Sequence, residues 1–278
     1  MRVETNWKLV RRNKRITQYL FYFSFGVLIV GLVLGFRPPD RIDDPDTAAA
    51  LLLQTLVLPV AVATSLISVR MTNQWLRQPR PESAIKDALK GINKKSVIYN
   101  YYHSPARHVL ICPQGVFAMV TRFQDGLFVI NGDRWERVGG MRLLRFLRGD
   151  NLGNPADDAK RAAAHVKELL SPIAPDIEVE PLVVFTDPRA RLEVTNPSVP
   201  ALLTNDKQEP NLKDYMRELA QKQKQSVDTV TAPKKKGKSR QDSGSAIPPD
   251  EIEKLATAFE DLTLKAASGK KKLTDQHE

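Results

Sequence analysis

Two long uncharged runs open the chain. Residues 16–36 contain no charged side chain, and residues 47–69 repeat the pattern after a short polar connector. At 1.5 Å of rise per residue, each run is long enough to cross a hydrocarbon core of about 30 Å. The first run also suits a signal peptide, since its upstream flank is basic and Val33-Leu34-Gly35 resembles a weak cleavage site. Its apolar stretch exceeds a typical signal core, however, and a second run follows at once. This favours a pair of transmembrane helices.

Lysine and arginine placement sets the expected orientation. Residues 1–15 carry Arg2, Lys8, Arg11, Arg12, Lys14 and Arg15, and the flank after the second run carries Arg70, Arg77 and Arg80. The connector, 37–46, holds two Arg against four Asp. The expected localisation is the cell membrane, with two spans, both termini cytoplasmic and the connector external. Pro38, Pro39 and Pro45 break the helices at the connector, and Pro59 predicts a kink in the second. Gly31 and Gly35 form a GxxxG spacing that lets helices approach closely. It serves either the second span or another copy of the chain, so a homodimer through Gly31 and Gly35 stays open. Neither run holds an Asp, Glu, Lys, Arg or His, which argues against a transporter.

Beyond residue 80 the period shortens. Residues 82–92 read as a helix with Ala84 or Ile85, Ala88 or Leu89, and Ile92 on one face. Strands over 97–102, 107–111, 116–122 and 127–130, with turn residues between them, predict a mostly antiparallel group of about four. Asn154 caps a helix, Pro155 suits its first position, and Asp157 and Asp158 favour its positive end. A strand over 179–186, extended pieces at 192–194 and 199–203, and a helix over 211–222 complete an α/β order. Residues 223–247 are polar and Lys-rich and read as a disordered basic linker that attracts anionic lipid. An amphipathic helix, 248–266, opens on an Asp250–Glu253 capping box and lines Ile252, Leu255, Ala256, Phe259 and Leu262 on one face. Residues 267–278 form a tail.

Composition changes this picture little. The chain is 42% hydrophobic and 27% charged, as ordinary globular proteins are. A net charge of +10 fits membrane lipid or nucleic acid as partner, or only a solvated basic surface. The single cysteine, Cys112, excludes an intrachain disulfide, and four scattered His show no zinc spacing.

Residues 107–122, RHVLICPQGVFAMVTR, are the most informative stretch. Two apolar strands flank the turn CPQG, and a Gly, a Trp, a helix and another apolar strand follow. Over residues 81–203 this order resembles the nuclease-related domain (NERD) family of the restriction-endonuclease-like superfamily. In that family an Asp precedes the His of the first strand, and the second strand runs Gly-Val-Phe-Val-Ile-Glu-x-Lys. Here Arg107 stands at the Asp position, Val120 at the Glu position and Arg122 at the Lys position. Glu82 matches the family's early-helix Glu. The family's carboxylates hold a divalent metal that activates water, and its Lys stabilises a charged oxygen.

No Asp or Glu occurs from residue 88 through residue 124. The resemblance therefore implies a restriction-endonuclease-like α/β domain over 81–222 that is catalytically degenerate, with no catalytic residue, no metal and no cofactor. It would act as a binding or scaffolding module at the cytoplasmic membrane face, for nucleic acid or a partner protein. Lys94, Lys95, Arg107 and Arg122 are the candidate phosphate contacts. Tyr99, Tyr101, Tyr102 and Phe123 either stack on bases or belong to the core. His108 reads as structural rather than as a general base. The alternative is a membrane-tethered, magnesium-dependent nuclease hydrolysing phosphodiesters, with its ligands displaced to Asp125, Asp133 and Glu136.

Overall fold

The protein was analysed as a computed structural model that describes residues 1–35, 45–92, 95–139, 151–230 and 247–274. Lys94, most of the connector, residues 140–150, the Lys-rich stretch 231–246 and the last four residues lie outside the described residues. The chain divides into two units.

One unit holds the apolar helices, α1 (Trp7–Gly35) and α2 (Pro45–Trp75). Helix α1 starts nine residues before the uncharged run, because the Lys and Arg residues ahead of it are good helix formers and nothing there breaks the turn. Pro45 opens α2 as its first residue rather than breaking it. Two stretches, Trp7–Val33 and Thr55–Trp75, are long and apolar enough to cross a membrane, with only 11% and 12% of their apolar windows buried. Some of their hydroxyls bond the backbone: Thr17 donates to the Asn13 carbonyl at 2.7 Å and Thr64 to that of Val60 at 2.8 Å. Such bonds satisfy polar atoms where no water is present. At Gly31 a Cβ would lie 2.9 Å from Cγ1 of Val57, so the bare glycine is what lets α1 and α2 meet there.

The other unit is a mixed α/β domain. Its elements are β1 (Arg2–Thr5), α3 (Pro81–Ala88), β2 (Val97–Asn100), β3 (His108–Cys112), β4 (Gly115–Arg122), β5 (Gly126–Asn131), β6 (Arg134–Arg137), α4 (Pro155–Leu170), β7 (Val179–Phe185), β8 (Ala190–Thr195), β9 (Ala201–Leu203), α5 (Leu212–Val230) and α6 (Pro249–Thr274). A six-stranded sheet runs β1-β2-β3-β4-β7-β9, and a second sheet runs β6-β5-β8.

The expected four-strand antiparallel group is only partly formed. Strands β2, β3 and β4 pair antiparallel, but β5 leaves them for the second sheet, and β4 pairs instead with β7, in parallel. Gly126 makes the departure: its φ of +98° is open to glycine, and a Cβ would sit 3.4 Å from Arg137 Nε. β1 was not foreseen, since four residues ahead of a long apolar helix carry almost no pattern. It pairs parallel with β2, Arg2 against Val97 through Thr5 against Asn100. Helix α5 continues to Val230, past residue 223 where the linker was expected to begin.

Both faces of the large sheet are covered. Ile85, Ala88 and Leu89 from α3, with Leu212 and Met216 from α5, close one face over Ile98, Leu110, Phe117, Met119 and Leu182. Ala162, Val166 and Leu170 from α4, with Ile252, Leu255 and Phe259 from α6, close the other over Tyr99, Val109, Ile111 and Val116. The stripe read from the sequence on α6 is buried at Ile252, Leu255, Ala256 and Phe259 and half-buried at Leu262. Asn154 caps α4 as expected, accepting from the Asp157 amide at 3.3 Å.

Candidate functional site

The side chains at the family positions are set by strand alternation. His108 pairs across the sheet with Asn100 on one side and Met119 on the other, so these three share a face. Val120 and Arg122 alternate to the opposite face, where α4 lies.

On the His108 face the sheet buries a polar cluster. His108 is fully buried, and its Nδ1 lies 2.8 Å from Oδ1 of Asn100. The Asn100 amide donates to Thr5 Oγ1 at 3.1 Å, which ties the cluster to β1. Tyr101 sits at φ +63°, a left-handed conformation that a tyrosine adopts at some cost. It is held there from three sides. Its amide donates to the Arg107 carbonyl at 2.6 Å, its hydroxyl donates to Glu82 Oε2 at 2.8 Å, and its ring meets His108 edge-on at 5.0 Å. Strand β2 therefore ends at Asn100 rather than at residue 102. Burial, with a smaller contribution from the nearby Arg107 cation, pushes the His108 pKa down to about 3. The imidazole is neutral at physiological pH and structural in character. Glu82 is engaged by Tyr101 and packed away from solvent.

On the α4 face, Arg122 binds Asp158 at 2.5 Å, with 14% of its side chain exposed. Burial lowers the guanidinium pKa, and Asp158 acts in the opposite sense. Asp158 also binds Arg161. Val120 is half-buried and packs between the apolar clusters around α4. Arg107 and Lys95 are exposed. Asp158 is the functional neighbour that sequence reasoning missed. Its position in the first turn of α4 was read as a helix-dipole effect alone, and only the crossing of α4 over β4 reveals its second partner.

The acidic residues considered as displaced ligands all have cationic partners. Asp125 binds Arg137 at 2.5 Å and Arg189 at 3.1 Å, and Arg189 reaches Asp187 at 3.1 Å. Asp133 binds Lys160 at 2.9 Å, and Glu136 binds Arg134 at 2.6 Å. Among the described residues no three His, Cys, Asp or Glu side chains converge as a metal-holding group. Magnesium takes hard oxygen ligands, and Arg107, Val120 and Arg122 supply none, so these positions do not fit the ion. The aromatics divide: Tyr99 and Tyr101 are buried, and Tyr102 and Phe123 are partly accessible.

No curated protein and no solved structure matches the chain. The model of one family does, over residues 79–186, from just ahead of α3 to just past the end of β7. The match stops short of β8 and β9, which the resemblance over 81–203 had included. This stretch of the chain is similar to the nuclease-related domain, NERD.

Proposed function

We propose that this chain is a membrane-anchored nuclease-related domain without catalytic activity, serving as a binding or scaffolding module at the cytoplasmic membrane face. The observation that carries this reading is the pairing of Arg122 with Asp158. Where the family places Glu and Lys, the chain has a half-buried valine and an arginine already held by a carboxylate. Neither side chain offers a divalent ion the hard oxygen ligands it takes. Membrane anchoring is supported by the two long apolar helices and by their small buried fraction. A common side for both termini is supported by β1. This strand precedes the first apolar helix, yet it pairs with β2, which follows the second. The cytoplasmic assignment rests on the excess of Lys and Arg in both flanks. Lys94, Lys95 and Arg107 remain the proposed contacts to a nucleic-acid or acidic protein partner, while Arg122 is taken up by Asp158.

One observation favours a second reading, a nuclease with displaced ligands. Asp125 and Asp187 lie just beyond the carboxyl ends of β4 and β7 and share the Arg189 guanidinium. Calorimetry of the detergent-solubilised full chain against magnesium and manganese, run beside a DNA-cleavage assay, separates the two. The expected result is no site-specific metal binding and no cleavage. Manganese-dependent cleavage that is lost in Asp125→Ala or Asp187→Ala would establish the nuclease instead.

A further inference from the structure

The first turns of α1 carry a one-sided positive face with no ion-pair partner among the described residues. Lys8, Arg11, Arg12 and Arg15 recur at helical spacing and Lys14 adjoins them, so all five fall within one arc of the helix. All five are exposed, whereas Val10 and Thr17 on the other side are buried. Helix α1 contains no Asp or Glu, and no ion pair among the described residues reaches the five cations. Lys8 lies in the first turn, where the backbone dipole disfavours positive charge, and Lys8/Arg12 and Arg11/Arg15 are like charges at i,i+4 spacing. The arrangement costs the isolated chain free energy, and an external anion recovers it.

We propose that this arc is a binding surface for the headgroups of anionic phospholipids. The proposal deepens the membrane-anchored reading and rests on it. Lipid is favoured over nucleic acid because the arc runs without a break into the apolar part of the same helix. Lys8 to Arg15 covers about 10 Å of axis, comparable with a headgroup layer of about 5–8 Å. Trp7 at the edge of the arc is 49% exposed and Tyr19 is 73% exposed, as suits residues at a membrane interface. The long Lys and Arg side chains can lie along the apolar boundary while their charges stay in the phosphate layer.

The test uses the full chain reconstituted into phosphatidylcholine bilayers that contain phosphatidylglycerol. Spin-labelled lipids of each class report the fraction held by the protein. One variant combines Lys8→Gln, Arg11→Gln, Arg12→Gln, Lys14→Gln and Arg15→Gln. A control with the same charge loss combines Lys167→Gln, Arg191→Gln, Lys207→Gln, Lys222→Gln and Lys254→Gln. The wild type should select phosphatidylglycerol, the control should keep that selectivity, and the arc variant should lose about fivefold per cation removed until none remains. Raising the salt to 1 M should weaken it too. Equal selectivity in wild type and arc variant overturns the proposal, as does equal loss in the control or displacement of the lipid by an oligonucleotide. A chain that carbonate strips from membranes overturns the anchored reading itself. A chain that stays integrated without lipid preference overturns only this one.

Discussion

The hydroxyl of Tyr99 donates to the carboxylate of Glu260 across 2.8 Å, joining residues 161 positions apart. Arg2 completes the contact, binding the same carboxylate oxygen at 2.6 Å and the phenol oxygen at 3.2 Å. The Ala256 carbonyl lies 3.1 Å from that oxygen, and the Tyr99 ring meets Phe259 at 4.8 Å. The first strand and the last helix of the domain thus close on one tyrosine. Burial and the neighbouring carboxylate both raise the Tyr99 pKa, so it stays a donor throughout the physiological range.

This contact predicts how α6 comes off. Phe259 is fully buried, and Phe259→Ala should cost about 3–5 kcal/mol. Tyr99→Phe should cost only about 1 kcal/mol, because Glu260 is half-exposed and keeps Arg2. Limited proteolysis of the full chain in detergent should show α6 cut early in the first variant and not in the second. Resistance in both would mean that Phe259 is not the anchor.

Acid should loosen the domain through His108. Its folded pKa of about 3 lies below the unfolded value of about 6.5. Between those values the unfolded chain binds a proton that the folded chain does not, so stability is full above about pH 6.5 and falls as the pH drops toward 3. His103, whose pKa burial and His165 also lower, acts in the same direction. His108→Gln should remove about 3 kcal/mol of the loss between pH 7 and pH 4. Melting curves of wild type and variant that stay parallel across that range would contradict the burial of the imidazole.

Gly31 sets the approach of the two apolar helices. Gly31→Val should destabilise the pair by about 1–3 kcal/mol, since the new side chain meets Val57 at once. Adding Val57→Ala should restore part of the loss. Unfolding in a sodium dodecyl sulfate titration reads both. A neutral single variant would place the contact elsewhere on α1.

Phe117, buried beneath α3 and α5, tests the register of the central hairpin. Phe117→Ala should lower stability by about 3–5 kcal/mol. An unchanged melt would show the ring exposed and the strand shifted by one residue.

Much of this architecture was legible along the chain where a period or a turn signal is strong. The two apolar helices, the hairpin around Pro113 and Gly115, and the capped helix at Asn154 follow from local chemistry. The partners across the fold do not. Nothing in residues 2–5 announces an edge strand, because its pattern is completed only by Val97–Asn100, far along the chain. The exchange of β5 for β7 beside β4 is also non-local, as short apolar strands carry no label for their neighbour. At the candidate site the family positions Arg107, Val120 and Arg122 were readable in register. The acid that holds Arg122, the buried Asn100–His108 contact and the turn of Tyr101 into a left-handed conformation required the assembled sheet.

The pairing of β1 with β2 also orders events in time. Residues 2–5 are synthesised before both apolar helices, yet their hydrogen-bonding partner appears only after those helices have been made. They can therefore be paired only once Val97–Asn100 has come back beside them. A molecule that failed to return would leave the outer edge of Val97–Asn100 bare, a row of unpaired backbone groups of the kind that quality-control proteases and chaperones recognise. Pairing of β1 with β2 thus requires that both apolar helices have already been made.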